Sequence, residues 1–448
     1  MGAMSDPCSR MDVFRHMSSL ESVVDGPSDF VQWKESVVLS WTGIGLLLAL
    51  LGSLTLEGEA SAATTPTCTL RGGPWLEGRV RGHQGATAKA VDARIGESVE
   101  VFVMLPGTLN RRPVLFSEDG RPGHVSWSAS GCPALAVAWR RIEPRMKHVH
   151  TKAPNGDVRV YANAVVFGPH HGKWLGYDRM EYVEHAIVPR PDSADGESDG
   201  VGALRLVVTD ARPTESVAPR PADHQDLGTM RLAASIRLGQ EAPLSTPGLD
   251  DVPNGIISDR VFRYSFRKGD GFLGWLTAFY NVPYLFGSAG EGVHNQTERF
   301  VGADCADILV GALRRAGKPT LRYTNVSGVI DALGRVAGPT LVDQCAGSAP
   351  ALSLCEHASI PPLRMGHQVL PGDILAVEYM GADNLPRAWD HIVVLVEDRG
   401  PNGVPDGILG PHDIVADSGD ESGLKFAPLN DQGTVRVVAA RPKGVPIL

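Results

Sequence analysis

The chain has 448 residues, 43% hydrophobic and 21% charged, with a net charge of −9 and a pI near 5.9. That length allows two or three domains, and that balance supplies enough apolar side chains for a core, which excludes a disordered chain. Mild acidity, with no basic patch carrying interleaved aromatics, excludes nucleic acid as a partner.

Residues 1–62 read as a leader. Lys34 precedes Val37 to Leu56, an apolar run of about 20 residues, enough to span a bilayer. Ala60-x-Ala62 follows as a small-residue cleavage pattern, so a signal peptide cut after Ala62 is expected, with an uncleaved single-span anchor as the alternative. Either way the bulk of the chain is secreted or lies in the periplasm or cell envelope, where disulfides are permitted, and it meets a membrane only through an uncleaved leader.

Residues 63–240 are expected to form a β-rich domain, a sandwich or small barrel. Ser98 to Leu105 alternates and is predicted to end at Pro106-Gly107; His124 to Ser128 has the same period; Leu135 to Trp139, Val158 to Phe167, Leu204 to Thr209 and Met230 to Ile236 follow. His148 with His150, and His170-His171, would suit a zinc site, but no spacing such as H-E-x-x-H supports one, and no cofactor is expected. The Pro- and Asp-rich segment 241–255 is expected as a linker, and residues 256–448 as the domain that carries chemistry.

Within that domain Asp270 to Tyr280 has the pattern of an amphipathic helix, its Trp275, Phe279 and Tyr280 belonging to the core. A second helix is predicted from Cys305. Asp304 is a good N-cap, Asp307 complements the helix dipole, Ile308, Leu309, Ala312, Leu313 and Ala316 form one stripe, and Gly317 ends it. A cysteine at a helix N-terminus beside an imidazolium has a lowered thiol pKa and acts as a nucleophile.

Cysteine parity points the same way. Once Cys8 is lost with the leader, five remain; Cys345 and Cys355 bracket a short loop and suit a local disulfide, and Cys68 and Cys132 can pair, although spacing alone leaves the connectivity open. Cys305 is then the odd thiol. Downstream, Gly372-Asp373 turns into a strand, and His391 opens a β-branched run that would bring an imidazole beside the thiol as general base. The loop Asp398 to Asp406 matches part of a calcium loop but has Leu409 where the bidentate Glu belongs, and it reads as a Pro/Gly turn.

Pro283-Tyr284-Leu-Phe-Gly287, Asp304-Cys305, Gly372-Asp373 and His391 opening an apolar strand, in that order, resemble the NlpC-type branch of papain-like cysteine peptidases, many of which cut bacterial cell-wall peptides. The resemblance covers roughly the last 180 residues. It implies an α+β papain-like (NlpC-type) catalytic domain and a peptidoglycan peptide as substrate, with Cys305 attacking, His391 as base, a third polar residue on the next strand, Tyr284 bordering the nucleophile and Asp304 holding the substrate amine. For the third role the chain offers Asp417, with Asp413 second. The family's usual Ser-Gly after the cysteine is Ala306-Asp307 here. Two alternatives stand beside this reading: a thiol amidase or transamidase on another substrate, and a non-enzymatic wall-binding or adhesion module on an inactivated scaffold. Redox exchange lacks a Cys-x-x-Cys partner.

Overall fold

Short β-branched and aromatic runs punctuated by Gly and Pro dominate the chain, and strands are what they form. The computed structural model describes residues 66–83, 87–146, 180–187, 203–214, 220–251, 257–285, 294–342, 362–379, 389–419, 423–429 and 435–448. The leader, His148, His150, His170, His171, Cys345, Cys355, Gly287 and the strand expected over 158–167 lie outside them. No helix among the described residues is long and apolar enough to cross a membrane.

The first strands are β1 (Cys68–Leu70), β2 (Trp75–Val80), β3 (Ala90–Arg94), β4 (Val99–Leu109), β5 (Arg112–Phe116), β6 (Leu135–Met146), β7 (Met180–Ala186), β8 (Arg205–Val208), β9 (Gly228–Leu238), β10 (Leu244–Ser245) and β11 (Phe262–Arg267). One sheet is built on β4, which pairs with β1, β2, β5 and β8; a second runs β3-β11-β9-β6-β7, with β10 on β9. β4 does not stop at Pro106-Gly107: Pro106 has no N–H to give, but its carbonyl still accepts from the N–H of Arg71, and Gly107 admits the Thr69 carbonyl where a Cβ would stand at 2.4 Å. Its alternation also misleads, since nearly every residue is buried. Glu100 is tolerated inside because Arg79 (2.9 Å) and Arg205 (2.5 Å) pair with it. His124 to Ser128 forms only a bridge, Val125 to Phe116.

Beyond segment 241–255, β11 returns to the second sheet, parallel to β3 and antiparallel to β9, and one cluster of buried apolar side chains takes members from both sides of that segment. Then come α1 (Phe272–Leu276), α2 (Cys305–Arg315) and α3 (Val326–Leu333), followed by β12 (Arg335–Val342), β13 (Ile374–Tyr379), β14 (His391–Glu397), β15 (Ile414–Gly419), β16 (Gly423–Pro428) and β17 (Val435–Ala440). These last six form the third sheet, β12-β17-β13-β14-β15-β16.

The α+β papain-like (NlpC-type) fold is therefore not what forms: with 42% strand and 12% helix in three sheets, the protein is mostly β. The helical signals were real but local. Asp270 to Tyr280 gives a five-residue α1 and then a 3₁₀ turn, because Gly271 caps without a side chain and Tyr280 leaves the helix at ψ 144°. α2 has only 11 residues and α3 only 8, whereas the sheets take most of the described residues that are in regular structure.

Candidate functional site

The site begins at the first turn of α2. Asp304, extended at φ −91°, accepts from the backbone N–H of Ala306 (2.9 Å) and of Asp307 (2.8 Å), which sets where the helix starts. Ile308, Leu309, Ala312, Leu313 and Ala316 are buried in one cluster with Ile392 and Val394 of β14 and Ala416 of β15. That packing lays the helix on the sheet and leaves Cys305, its first residue, half-buried and reduced. Asp307 is the acid of the first turn, as expected, but it is buried, 1% exposed, and takes a hydrogen bond from Gln296 Nε2 (3.4 Å).

His391 and Asp417 meet Cys305 from neighbouring strands. The Nε2 of His391 lies 2.6 Å from Asp417 Oδ1, and a side-chain hydrogen bond links the imidazole to the Cys305 thiol. Lys425, opposite Asp417 in the β15–β16 register, places its ammonium 3.5 Å from Asp417 Oδ2. Burial works against the charge on Asp417, but His391 and Lys425 hold its carboxyl below the usual range. Burial likewise works against an imidazolium, but the Asp417 carboxylate and Cys305 raise His391 well above the ordinary imidazole value. The Cys305 thiol is pushed up by burial, and the pull of His391 does not cancel that. The depressed thiol pKa expected from the helix N-terminus is absent because desolvation outweighs it.

The other expected residues are placed as follows. Tyr284, half-buried, forms a backbone bridge to Ala303, two residues before the nucleophile. The Asp304 carboxylate is engaged in the helix cap. Asp413 is buried away from the imidazole: it accepts from the backbone N–H of Arg399 and Gly410, and burial raises it to about 6. Asp373, after the Gly372 turn, is a structural anion held by Arg441 at 2.7 Å. Cys68 and Cys132 form a disulfide. Asp398 closes its own loop by accepting from the N–H of Asp406 (3.1 Å) and Gly407 (3.0 Å), and no group of three or more potential metal ligands occurs among the described residues.

Sequence reasoning missed Lys425 and Tyr379, whose ring lies near-parallel to that of His391 at 6.5 Å. Both reach the site through strand register, and only the partner strand reveals that. Together these features define a mostly β protein with a cysteine, a histidine and an aspartate hydrogen-bonded in series at the junction of a helix and a sheet. No family model matches the chain, and no curated protein and no solved structure matches it either.

Proposed function

We propose that the protein is an exported cysteine hydrolase that cleaves amide bonds, with peptidoglycan peptides as the substrate class. The observation that carries the reading is the continuous contact from the one free thiol among the described residues to an imidazole and on to a carboxylate. Nε2 of His391 is committed to Asp417, so Nδ1 is the nitrogen that takes the thiol proton. The thiolate attacks the amide carbonyl carbon, His391 returns the proton to the leaving amine, and the C–N bond breaks to leave a thioester. Water, deprotonated by His391, then hydrolyses the thioester, releasing the acid and restoring the thiol. Asp417 fixes the tautomer and offsets the imidazolium charge. The backbone N–H groups of Ala306 and Asp307 already serve Asp304, so the oxyanion donor at the helix start is the N–H of Cys305 itself.

The substrate class rests on the ordered motifs alone, since the fold class that came with the resemblance does not hold. Hydrolysis of another amide, or transamidation, uses the same thioester. A non-enzymatic wall-binding role draws on one observation, the thiol held up by burial. Iodoacetamide alkylation of Cys305, followed by mass spectrometry in wild type and His391→Ala, separates the readings. Fast labelling of wild type and at least about tenfold slower labelling of the variant are expected for a general base. Equally slow labelling in both would mean the thiol is not activated. Release of new amino groups from purified peptidoglycan then tests the substrate.

A further inference from the structure

The loop that delivers the nucleophile is held from outside the third sheet. It runs from the buried Asn295, Gln296 and Thr297 to Ala303, just before Asp304 and Cys305. At its centre Phe300 has φ +53°, a left-handed backbone that a bulky residue keeps only where its surroundings impose it. The ring is fully buried. Phe279 stacks on it at 4.5 Å, and the guanidinium groups of Arg263 from β11 and Arg315 from α2 lie 4.3 and 4.5 Å from its centre. Arg231, from β9, donates through Nη2 to the carbonyls of both Arg299 and Phe300 at 3.1 Å each.

Arg231 is the unusual member. It is 4% exposed and sits directly opposite Arg263 in the β9–β11 register, so two buried guanidinium groups are neighbours. Arg263 is answered by Asp92 (2.7 Å) and Arg315 by Glu298 (2.6 Å). Arg231 has no ion pair among the described residues; its hydrogen bonds go to the two loop carbonyls. Burying an unpaired cation beside another is costly, and packing alone would be served better by an apolar side chain.

We infer that Arg231 is a positioning residue for the thiol chemistry. By holding the Arg299 and Phe300 carbonyls it fixes the left-handed turn that decides where α2 begins, and hence where the Cys305 sulfur meets His391. The N-terminal sheets are then part of the catalytic framework. The inference rests on the cysteine hydrolase reading.

The test is the rate of Cys305 alkylation by iodoacetamide from pH 6 to 10, with folding checked by near-UV circular dichroism. Arg231→Gln is expected to lower the maximal rate about tenfold, as a misplaced reacting group does, while the pH at half-maximal rate stays put because the imidazole and its carboxylate are untouched. Arg231→Lys restores part of the rate, and Arg140→Gln, on the exposed face of β6, leaves it unchanged. A folded Arg231→Gln that labels at the wild-type rate overturns the inference, as does a loss of rate explained wholly by a shifted pH profile. If Arg231→Gln does not fold, Arg231→Lys and Phe300→Leu decide in the same way: wild-type rates in both overturn it. Loss of labelling in His391→Ala together with wild-type labelling in the Arg231 variants would sink this inference alone. No effect of His391→Ala would sink the hydrolase reading beneath it.

Discussion

Asp417 and its imidazole make two expectations at the level of single residues. His391 keeps its proton above the ordinary imidazole range, so the acid limb of Cys305 alkylation should lie above pH 6.5. Asp417 raises both His391 and Cys305. Asp417→Asn should therefore move that limb to lower pH and also reduce the plateau about tenfold or more, because the neutral ring loses its anchor. A limb that stays put would mean the carboxylate does not set the protonation of the pair. Folding is linked to the same groups. The raised His391 stabilises the fold fully below about pH 6.5 and loses that contribution as pH climbs through its folded value; the lowered Asp417 stabilises above about pH 3.8 and loses its share as pH falls through its own. The destabilisation by His391→Ala should be larger in urea melts at pH 5.5 than at pH 9.5.

Helix α2 shows how one element turns packing into chemistry. Its apolar stripe was legible because the 3.6-residue period, the Asp304 cap and the Gly317 stop agreed, and the observed helix ends at Arg315, with Gly317 at φ +124°. Its opposite face is just as crowded. A Cβ on Gly311 would stand 2.8 Å from Thr297 Cγ2 and 2.9 Å from Phe279 Cζ. Gly311→Ala should therefore destabilise by about 1–3 kcal/mol from overpacking, reversing the roughly 1 kcal/mol gain that alanine brings in an open helix. A rise in the denaturation midpoint would show that this face is looser than its contacts indicate. α1 marks the opposite case: the same kind of periodicity produced barely more than a turn, because the backbone tightens to a 3₁₀ turn after Leu276 and leaves the helix at Tyr280.

For the molecule as a whole, β11 is the decisive connection. Its Phe262, Tyr264 and Phe266 are at most 1% exposed and pack in the cluster shared by the first and last parts of the chain. Exposing each would cost about 1.5–3 kcal/mol, and together that rivals the roughly 5–15 kcal/mol by which domains are stable. Residues 257–448 expressed alone should therefore lack a cooperative thermal transition and near-UV dichroism, and a sharp two-state melt of that fragment would refute the shared core. The Cys68–Cys132 disulfide, spanning a separation of 64 residues, adds about 4 kcal/mol in the chain-entropy picture and ties β1 to the stretch before β6.

The sequence by itself determined the local chemistry: the helix that starts at Cys305, the strand that starts at His391, the strand bearing Asp417, and the odd thiol. Each is written in short-range periodicity, capping or parity, which a chain carries in its own order. Only the tertiary structure decided that sheets outnumber helices and that Asp417 and not Asp413 meets the imidazole. It also decided that Lys425 backs the carboxylate, that burial holds the thiol up, and that Arg231 reaches the nucleophile loop. Those outcomes depend on which strands pair, in what register, and how much water they exclude, and such long-range terms leave no periodic mark on the residues that obey them.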